Sequence, residues 1–358
     1  MSKILTKAAM AAGLLLTACT SVAPDPVFET AVVDAALSDL VADGSVAGVS
    51  GLVYRAGEEV YYGDVGMADR EAGHAWERDT LVTIYSMTKP VTGVTLMSLW
   101  QEGLFDLEAD LSDYLPEYAD VKVYAGEGDT GAPILKVPNR PLKVIDIFRQ
   151  TACFGYGWED HPVSAMLNAA QVLDPDKPLS RMSEELADVP LYCEPGEAWK
   201  YGVAVDVQAR LAEVVTGQPY EEIVTERVIR PLGLIDTSYF VPATERDRLA
   251  AVYMSDGEGG LSRADNGGLF AMRETKPTQI NGGHGLISTI DDYMRFALML
   301  QNEGEIDGVR ILQPETVAFM TRDHLPEGVV ERDFLPSKGE VGFGINVAVR
   351  TATTTDPE

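Results

Sequence analysis

One short segment, residues 83–103, constrains the fold of this 358-residue chain more than any other. Pro90 lacks an amide hydrogen, so a helix accepts it only in the first turn. Apolar residues then recur at helical spacing over residues 91–100, and Gly103 ends the pattern. The sequence therefore predicts a helix that begins at or near Ser86, where the first amide N–H groups have no partner within the helix.

The start of this helix carries the pattern Ser-x-x-Lys, as Ser86 and Lys89. Residues three apart share a helix face, so the amine comes within reach of the hydroxyl. A serine hydroxyl needs a neighbouring base to become a nucleophile, and a lysine serves only when burial or a nearby cation lowers its pKa. Free amide N–H groups at the helix start suit a developing oxyanion. The four-residue pattern by itself is also compatible with a surface serine and lysine on an ordinary helix, which is the competing interpretation.

The remaining patterns predict a mixed helix and strand architecture with an antiparallel sheet. Residues 106–195 are rich in proline, glycine and acidic residues, which indicates a mostly helical, loop-rich second lobe. The other predicted elements are a helix over 27–41, two strands over 46–54 and 59–63, a short helical piece over 142–149, two helices within 204–230 interrupted at 217–219, a capped helix from Ser288 to about Leu300, and a strand over 342–349.

Charge and composition exclude several classes of function. Lys and Arg total 28 against 56 Asp and Glu, a formal net charge of −28, which repels phosphate backbones and anionic lipid head groups. The four histidines are too widely spread for a metal site, and there is no glycine-rich phosphate loop and no Gly-x-Ser-x-Gly elbow. We therefore expect no nucleic acid, no metal and no cofactor.

Residues 1–19 read as a secretory signal, because Lys3 and Lys7 precede a short apolar stretch. The stretch ends Leu-Thr-Ala-Cys, similar to a bacterial lipoprotein box, which predicts lipidation at Cys19 and a tether over residues 20–26. Ordinary cleavage, with Cys19 lost or left free, is the alternative. We expect an exported protein of the periplasm or cell envelope, held at the membrane only by this anchor, with a catalytic domain over 27–358.

Several motifs in order resemble the serine β-lactamase-like and penicillin-binding-protein-like hydrolases, especially the family VIII carboxylesterases, relatives of class C β-lactamases. Besides the Ser-x-x-Lys motif, which is a known β-lactamase signature, the matching stretches are Gly63–Gly66, Pro195–Glu197, Arg230–Leu234 and Gly285–Thr289. The resemblance implies an α+β, β-lactamase/transpeptidase-like fold, with an antiparallel sheet flanked by helices and a mostly helical lobe. It places the active site between the two lobes.

The resemblance also assigns the reaction and its residues. Tyr201, just after the Pro-Gly pair, stands where the family relays a proton between Ser86 and Lys89. Val203 replaces an amide side chain that bonds the substrate's amide group in lactamases and peptidases, which favours ester substrates. The expected activity is hydrolysis of small or aryl carboxylic esters through an acyl-enzyme on Ser86. The substrate pocket is expected to include Tyr85, Val203, Tyr156, Trp158, His284 and Gly285.

Other interpretations remain open. The chain could be a β-lactamase or D-alanyl-D-alanine peptidase, or a penicillin-binding lipoprotein without turnover, since neither Lys-Thr-Gly nor a Trp-Gly-Gly-like third motif occurs. His284-Gly285-Leu286 is interpreted as a loop. Family members continue beyond the strand-like 342–349 segment, so we expect this chain to lack their last strands. The sequence leaves open whether Cys153 and Cys193 form a disulfide and which oligomer forms.

Overall fold

A computed structural model describes residues 28–264, 275–333, 335 and 340–351. The predicted signal, tether and lipidation site at Cys19 lie outside the described residues. The helices are α1 Thr30–Ala42, α2 Thr88–Trp100, α3 Val144–Phe148, α4 Pro162–Ala170, α5 Leu179–Ala187, α6 Ala204–Thr216, α7 Tyr220–Val224, α8 Arg230–Leu232, α9 Ile290–Gln301 and α10 Pro314–Met320. Within the described ranges, no helix has the length and apolar character needed to cross a membrane.

The strands are mostly short. They are β1 Gly48–Arg55, β2 Glu58–Asp69, β3 His74–Ala75, β4 Val82–Thr83, β5 Val123–Glu127, β6 Pro133–Lys136, β7 Ala198–Trp199, β8 Tyr253–Ser255, β9 Leu261–Arg263, β10 Ile287–Ser288, β11 Glu305–Ile306, β12 Val309–Arg310, β13 Glu331–Arg332, β14 Val341–Phe343 and β15 Ala348–Arg350.

An antiparallel sheet of order β1-β2-β3 has helices on both of its faces. Gly51 of β1 faces Leu37 of α1. Ser50 and Leu52, the neighbours of Gly51 on β1, line a cavity together with Tyr293 of α9. Because successive residues of a strand point to opposite faces, α9 lies on the face of the sheet opposite to α1. The turn between β1 and β2 places Ala56 and Gly57 at φ values of 51° and 84°, the left-handed pair of a tight hairpin turn. The predicted hairpin is therefore present, with a second strand longer than predicted.

Helix α2 runs through the interior of the protein. Its residues from Thr88 to Leu99 are buried, with the single exception of half-buried Pro90. The helix is preceded by a 3₁₀ turn over Tyr85–Met87, so the predicted start near Ser86 is confirmed. Because α2 is enclosed by the core, its first turn is held rigidly relative to both the sheet and the helical lobe.

The second lobe combines α3, α4 and α5 with the β5–β6 hairpin. Cys153 and Cys193 form a disulfide with Cα atoms 5.4 Å apart, which settles a pairing that the sequence left open. The disulfide joins the loop after α3 to the loop before β7. The first loop carries Tyr156 and Trp158, and the second leads through β7 to Tyr201.

Two sequence predictions about elements need correction. The segment predicted as one strand over 342–349 forms two strands, β14 and β15, that pair antiparallel. The chain reverses near Asn346, whose φ is 56°, and the alternating apolar pattern hides this turn. The apolar stripe predicted for α1 is only partly buried: Leu37 is in the core, whereas Val32 is 62 % exposed.

Candidate active site

The nucleophile candidate, Ser86, lies at the exposed start of α2. The preceding residue, Tyr85, has a φ of 43°, in the left-handed region that costs about 1 kcal/mol or more for a residue with a side chain. Ile84 fixes this turn because its N–H donates to the Leu286 carbonyl and its carbonyl accepts from the Met87 N–H. The strained turn presents the Ser86 hydroxyl to solvent while the residues after it enter the core.

Lys89 and Tyr201 meet the Ser86 hydroxyl from two sides. The Lys89 Nζ donates to Ser86 Oγ at 3.2 Å, and the Tyr201 hydroxyl donates to the same oxygen at 2.7 Å. The Lys89 Nζ also lies 4.7 Å from the centre of the Tyr201 ring. Lys89 is only 4 % exposed, so its amine approaches Ser86 from the protein interior. The structure therefore brings together all three residues that the sequence assigned to catalysis.

Tyr201 is held by the chain on either side of it. Strand β7 pairs in parallel with β13, and the Tyr201 N–H donates to Asp333 Oδ2 at 2.8 Å just after β13. The next N–H, of Gly202, points to Gln150 Oε1 at 3.3 Å. The Tyr201 ring packs against Tyr156 with ring centres 5.5 Å apart. These contacts fix the backbone and the ring, so the hydroxyl is aimed at Ser86.

A cavity of about 780 Å³ opens beside Ser86, a size typical of small-molecule sites. Five of the six residues predicted to form the substrate pocket line it: Tyr85, Tyr156, Trp158, His284 and Gly285. Trp158 is 65 % exposed and stacks on Tyr156 with ring centres 4.6 Å apart, which forms an aromatic wall. Residues between α8 and β8 also line the cavity, among them Tyr239, Phe240, Val241, Arg246, Leu249 and Ala250.

The sixth predicted pocket residue, Val203, does not line this cavity. Its side chain is fully buried in the main core, and its backbone forms the N-terminal cap of α6. Asp206 N–H donates to the Val203 carbonyl, which begins the helix. The direction of an apolar side chain at a helix start is set by the packing around it, which a sequence motif does not report. The Val203 side chain is therefore not placed to contact the amide group of a substrate in this cavity, contrary to the sequence prediction.

The segment after Pro277 forms the floor of the site. His284 and Gly285 lie in a loop, as predicted, and Gly285 has a φ of 111°. The loop enters β10, which pairs antiparallel with β4, and then α9, whose N-cap Thr289 accepts from the Asp292 N–H. The capped helix is thus confirmed. The short β10–β4 ladder fixes this loop beside Ser86, because β4 directly precedes the nucleophile turn.

Two residues of the site escaped the sequence analysis. The Lys89 Nζ donates to the Gly283 carbonyl at 2.7 Å, and the Gly283 N–H donates to Asp206 Oδ1 at 3.0 Å. Asp206 is fully buried on α6. Burial raises the pKa of Tyr156 well above its ordinary value, and the charge of Asp206 adds to this effect. A signal existed: an acidic residue within the apolar run 203–207 is unusual unless it has a partner in the interior.

Comparison with known proteins agrees with this geometry. The Beta-lactamase family model matches residues 33–355, nearly the whole chain. The chain belongs to the Beta-lactamase family. Within this family it is similar to protein Rv1367c of Mycobacterium tuberculosis, with 33 % identity over 88 % of this chain and 78 % of that protein. It is also similar to the lovastatin esterase of Penicillium rubens, with 32 % identity over 69 % of this chain and 60 % of that protein.

Among solved structures, the fold is similar to that of EstCE1, described as a hydrolase with promiscuous acyltransferase activity. The TM-score is 0.72 at 23 % identity, over 89 % of this chain and 82 % of EstCE1. The α+β, β-lactamase/transpeptidase-like fold is therefore confirmed, as is the relationship to esterases of the family VIII type. As a member of the Beta-lactamase family with relatives that are esterases, this chain is a serine hydrolase.

Proposed function

We propose that this Beta-lactamase family member is a carboxylesterase that hydrolyses small or aryl esters through an acyl-enzyme on Ser86. One observation carries the proposal: Ser86 Oγ lies 3.2 Å from the Lys89 amine and 2.7 Å from the Tyr201 hydroxyl, at the edge of a cavity of about 780 Å³. A hydroxyl with two proton-handling partners next to a substrate-sized cavity has the arrangement of an activated nucleophile.

In the first half of the reaction, Ser86 Oγ attacks the ester carbonyl carbon. Its proton passes to Tyr201, or through Tyr201 to Lys89, whichever of the pair has already lost its own proton. Where Tyr201 is the group that has lost its proton, the ammonium of Lys89 stabilises its phenolate, and this negative charge is neutralised as the serine proton arrives. The amide N–H of Ser86, in the first turn before α2, is placed to stabilise the oxyanion.

The tetrahedral intermediate collapses when the bond to the leaving alcohol breaks. Tyr201 returns the proton to the alcohol oxygen, and Ser86 remains bonded to the acyl group. Water then attacks this acyl carbon, with the same tyrosine as the base, and Ser86 recovers its proton as the acid leaves. Only residues of this chain and water take part in the proposed sequence.

The names of relatives support an ester substrate. One relative is a lovastatin esterase, another is the esterase EstB of Burkholderia gladioli, and EstCE1 is described as a hydrolase. The aromatic wall of Tyr156 and Trp158 is suited to contact an aryl or alkyl ester group by apolar burial. Esters are therefore the substrate class to test first.

A lactamase or D-alanyl-D-alanine peptidase remains the second candidate. Val203, the residue that favours esters over amides in the sequence, is buried and does not line the cavity. The serine, lysine and tyrosine arrangement serves amide bonds as well as esters. A third candidate, from another class, is a penicillin-binding protein of the cell envelope that is acylated without turnover. Export and lipid anchoring through Cys19 belong to our proposal for all three candidates.

The deciding experiment is a parallel assay of the protein, without residues 1–19, against p-nitrophenyl butyrate and nitrocefin, with Ser86→Ala alongside. Our proposal predicts ester turnover that disappears in the variant and little turnover of nitrocefin. Efficient nitrocefin hydrolysis would favour the lactamase, whereas labelling of Ser86 without product release would favour the binding protein. Undiminished ester cleavage by Ser86→Ala would contradict the nucleophile assignment.

A further inference from the structure

Behind Lys89, the Gly282-Gly283 segment connects α2 to α6. Lys89 and Thr92, three residues apart on α2, donate to consecutive carbonyls: Lys89 Nζ to Gly283 at 2.7 Å and Thr92 Oγ1 to Gly282 at 2.6 Å. On its other side the segment packs so closely against α6 that a Cβ on Gly282 would lie 2.3 Å from the Val205 carbonyl oxygen. The position of the Lys89 acceptor is thus set by α6.

Asp206 is the group on α6 that holds this segment. Its Oδ1 accepts from the Gly283 N–H at 3.0 Å, and its side chain is fully buried. Its Oδ2 has no hydrogen-bond partner among the described residues. A buried carboxylate with an oxygen that lacks a hydrogen-bond partner lowers the stability of the fold, so a functional role for Asp206 is expected. No step of the proposed hydrolysis uses Asp206 directly.

The groups around Lys89 show what that role is. The rings of Tyr201, from the loop after β7, and Tyr156, from the loop before α4, face the Lys89 amine. Asp206 from α6 contacts Gly283, the residue that Lys89 binds, and His284 is next along the chain. Among these, Asp206 is the carboxylic acid. It is connected to Lys89 by one residue, Gly283, whose N–H donates to Asp206 and whose carbonyl accepts from Lys89.

We propose that Asp206 is a positioning residue that orients the Gly283 carbonyl, and through it the Lys89 amine, for proton transfer from Ser86. The link is geometric: Asp206 accepts from the Gly283 N–H, and Gly283 in turn accepts from the Lys89 amine. Glycine is required at position 283 because an added Cβ would lie 2.9 Å from Asp206 Oδ2 and 3.2 Å from the Tyr156 hydroxyl oxygen. This inference rests on Ser86 as the nucleophile of the proposed function.

Asp206→Asn keeps the shape and the acceptor oxygen but removes the charge, and Gly283→Ala disturbs the same contact from the other side. Asp292→Asn is the matched control. Asp292 is also a buried carboxylate at the third residue of a helix, and it accepts from the Asp236 N–H and the Thr237 hydroxyl instead of from the active-site loop. Circular dichroism and thermal unfolding would establish that each variant is folded.

The experiment measures two rates for each protein. One is the hydrolysis of p-nitrophenyl butyrate, which gives kcat and KM separately. The other is labelling of Ser86 by a fluorophosphonate, in which Ser86 Oγ bonds to phosphorus, fluoride leaves and the serine proton passes to the base. Labelling reports the reactivity of the nucleophile without depending on the ester substrate.

For Asp206→Asn we expect kcat and the labelling rate to fall about tenfold. KM should not change, because Asp206 does not line the substrate cavity and the loss falls on proton transfer from Ser86. In Gly283→Ala, kcat and the labelling rate should fall about 100-fold. In Asp292→Asn, both rates should equal those of the wild type.

Wild-type kcat and labelling rate in Asp206→Asn, a loss that appears only in KM, or the same losses in Asp292→Asn would overturn the inference. Wild-type protein that is labelled but does not hydrolyse esters would contradict the proposed function alone. The labelling rates of the wild type and Asp206→Asn would still test the role of Asp206. Absence of labelling in the wild type would overturn both.

Discussion

At the scale of single residues, the Tyr201 hydroxyl has the shortest contact with the nucleophile oxygen. Tyr201→Phe removes that hydroxyl and keeps the ring that packs against Tyr156. We expect kcat for p-nitrophenyl butyrate to fall about 10²- to 10⁴-fold, the range that a lost general acid–base contributes. The unfolding temperature should hardly change. Steady-state kinetics and thermal unfolding would measure the two effects.

Tyr253→Phe is the matched control for this prediction. Tyr253 lies on β8 and does not line the cavity; its hydroxyl donates to the Glu71 carboxylate and accepts from the Arg70 N–H. This variant should keep wild-type kcat. Equal activity of Tyr201→Phe and Tyr253→Phe would mean that Tyr201 does not handle the proton.

The active site was predictable from sequence only where local spacing determines it. The Ser86–Lys89 contact follows from three-residue spacing on a helix, and Tyr201 from its place after a Pro-Gly pair. The burial of Val203 and the contact from Asp206 to Gly283 were not predictable, because residues 77 positions apart in the chain meet only through tertiary packing. Side-chain direction at the start of α6 depends on the core around it.

At the scale of elements, the disulfide joins the loop that carries Tyr156 to the loop that leads through β7 to Tyr201. It joins residues 40 apart in sequence, and closing a loop of that length in the unfolded chain is worth about 4 kcal/mol in the entropy account. Replacing Cys153 and Cys193 together by alanine should lower the free energy of unfolding by about 2–4 kcal/mol. Chemical denaturation with and without reductant would measure this loss.

Reductant provides the internal control for the disulfide. It should destabilise the wild type to a similar extent and leave the double variant unchanged. Equal stability of the wild type in oxidising and reducing buffer would show that the two cysteines do not pair in solution.

A buried ion-pair cluster holds α3 and should give a pH signature. Burial raises the pKa of Asp146, but the hydrogen bonds and charges of Arg140 and Arg149 outweigh it, so the pKa lies below its ordinary value of 3.8. The stability that Asp146 contributes is thus present above about pH 3.8 and is lost as pH falls through the lowered pKa.

Asp146→Asn should therefore be less stable than the wild type at pH 7, by about 3 kcal/mol. The difference should narrow as pH falls below about 3.8. Urea denaturation of both proteins across pH would measure the narrowing. A difference that is constant down to pH 2 would contradict the lowered pKa.

Local sequence patterns are sufficient to predict some of these elements and not others. Gly57 and the alternating residues around it specify the β1–β2 hairpin locally, and the proline and glycine at the two ends of α2 mark its limits. The β14–β15 hairpin was interpreted as one strand because its alternation continues through the turn. The pairing of β7 with β13 joins segments more than 130 residues apart, which local patterns do not report.

At the scale of the whole molecule, the net charge of −28 should make the fold sensitive to ionic strength. Like charges repel across the folded surface, and the Debye length falls from about 30 Å at 0.01 M salt to about 3 Å at 1 M. We expect the unfolding temperature to rise as sodium chloride is added over this range at pH 7. A fall would mean that surface ion pairs outweigh the repulsion.

The central claim is that Ser86 forms the acyl-enzyme, and intact-mass spectrometry tests it most directly. The protein is mixed with p-nitrophenyl butyrate, the reaction is quenched in acid within milliseconds to seconds, and the mass of the intact protein is measured. Ser86→Ala is treated in parallel. The account predicts a transient mass increase of one butyryl group in the wild type, located by peptide mapping on Ser86 and absent from the variant. A butyryl group on another residue, or product release by Ser86→Ala at the wild-type rate, would contradict it.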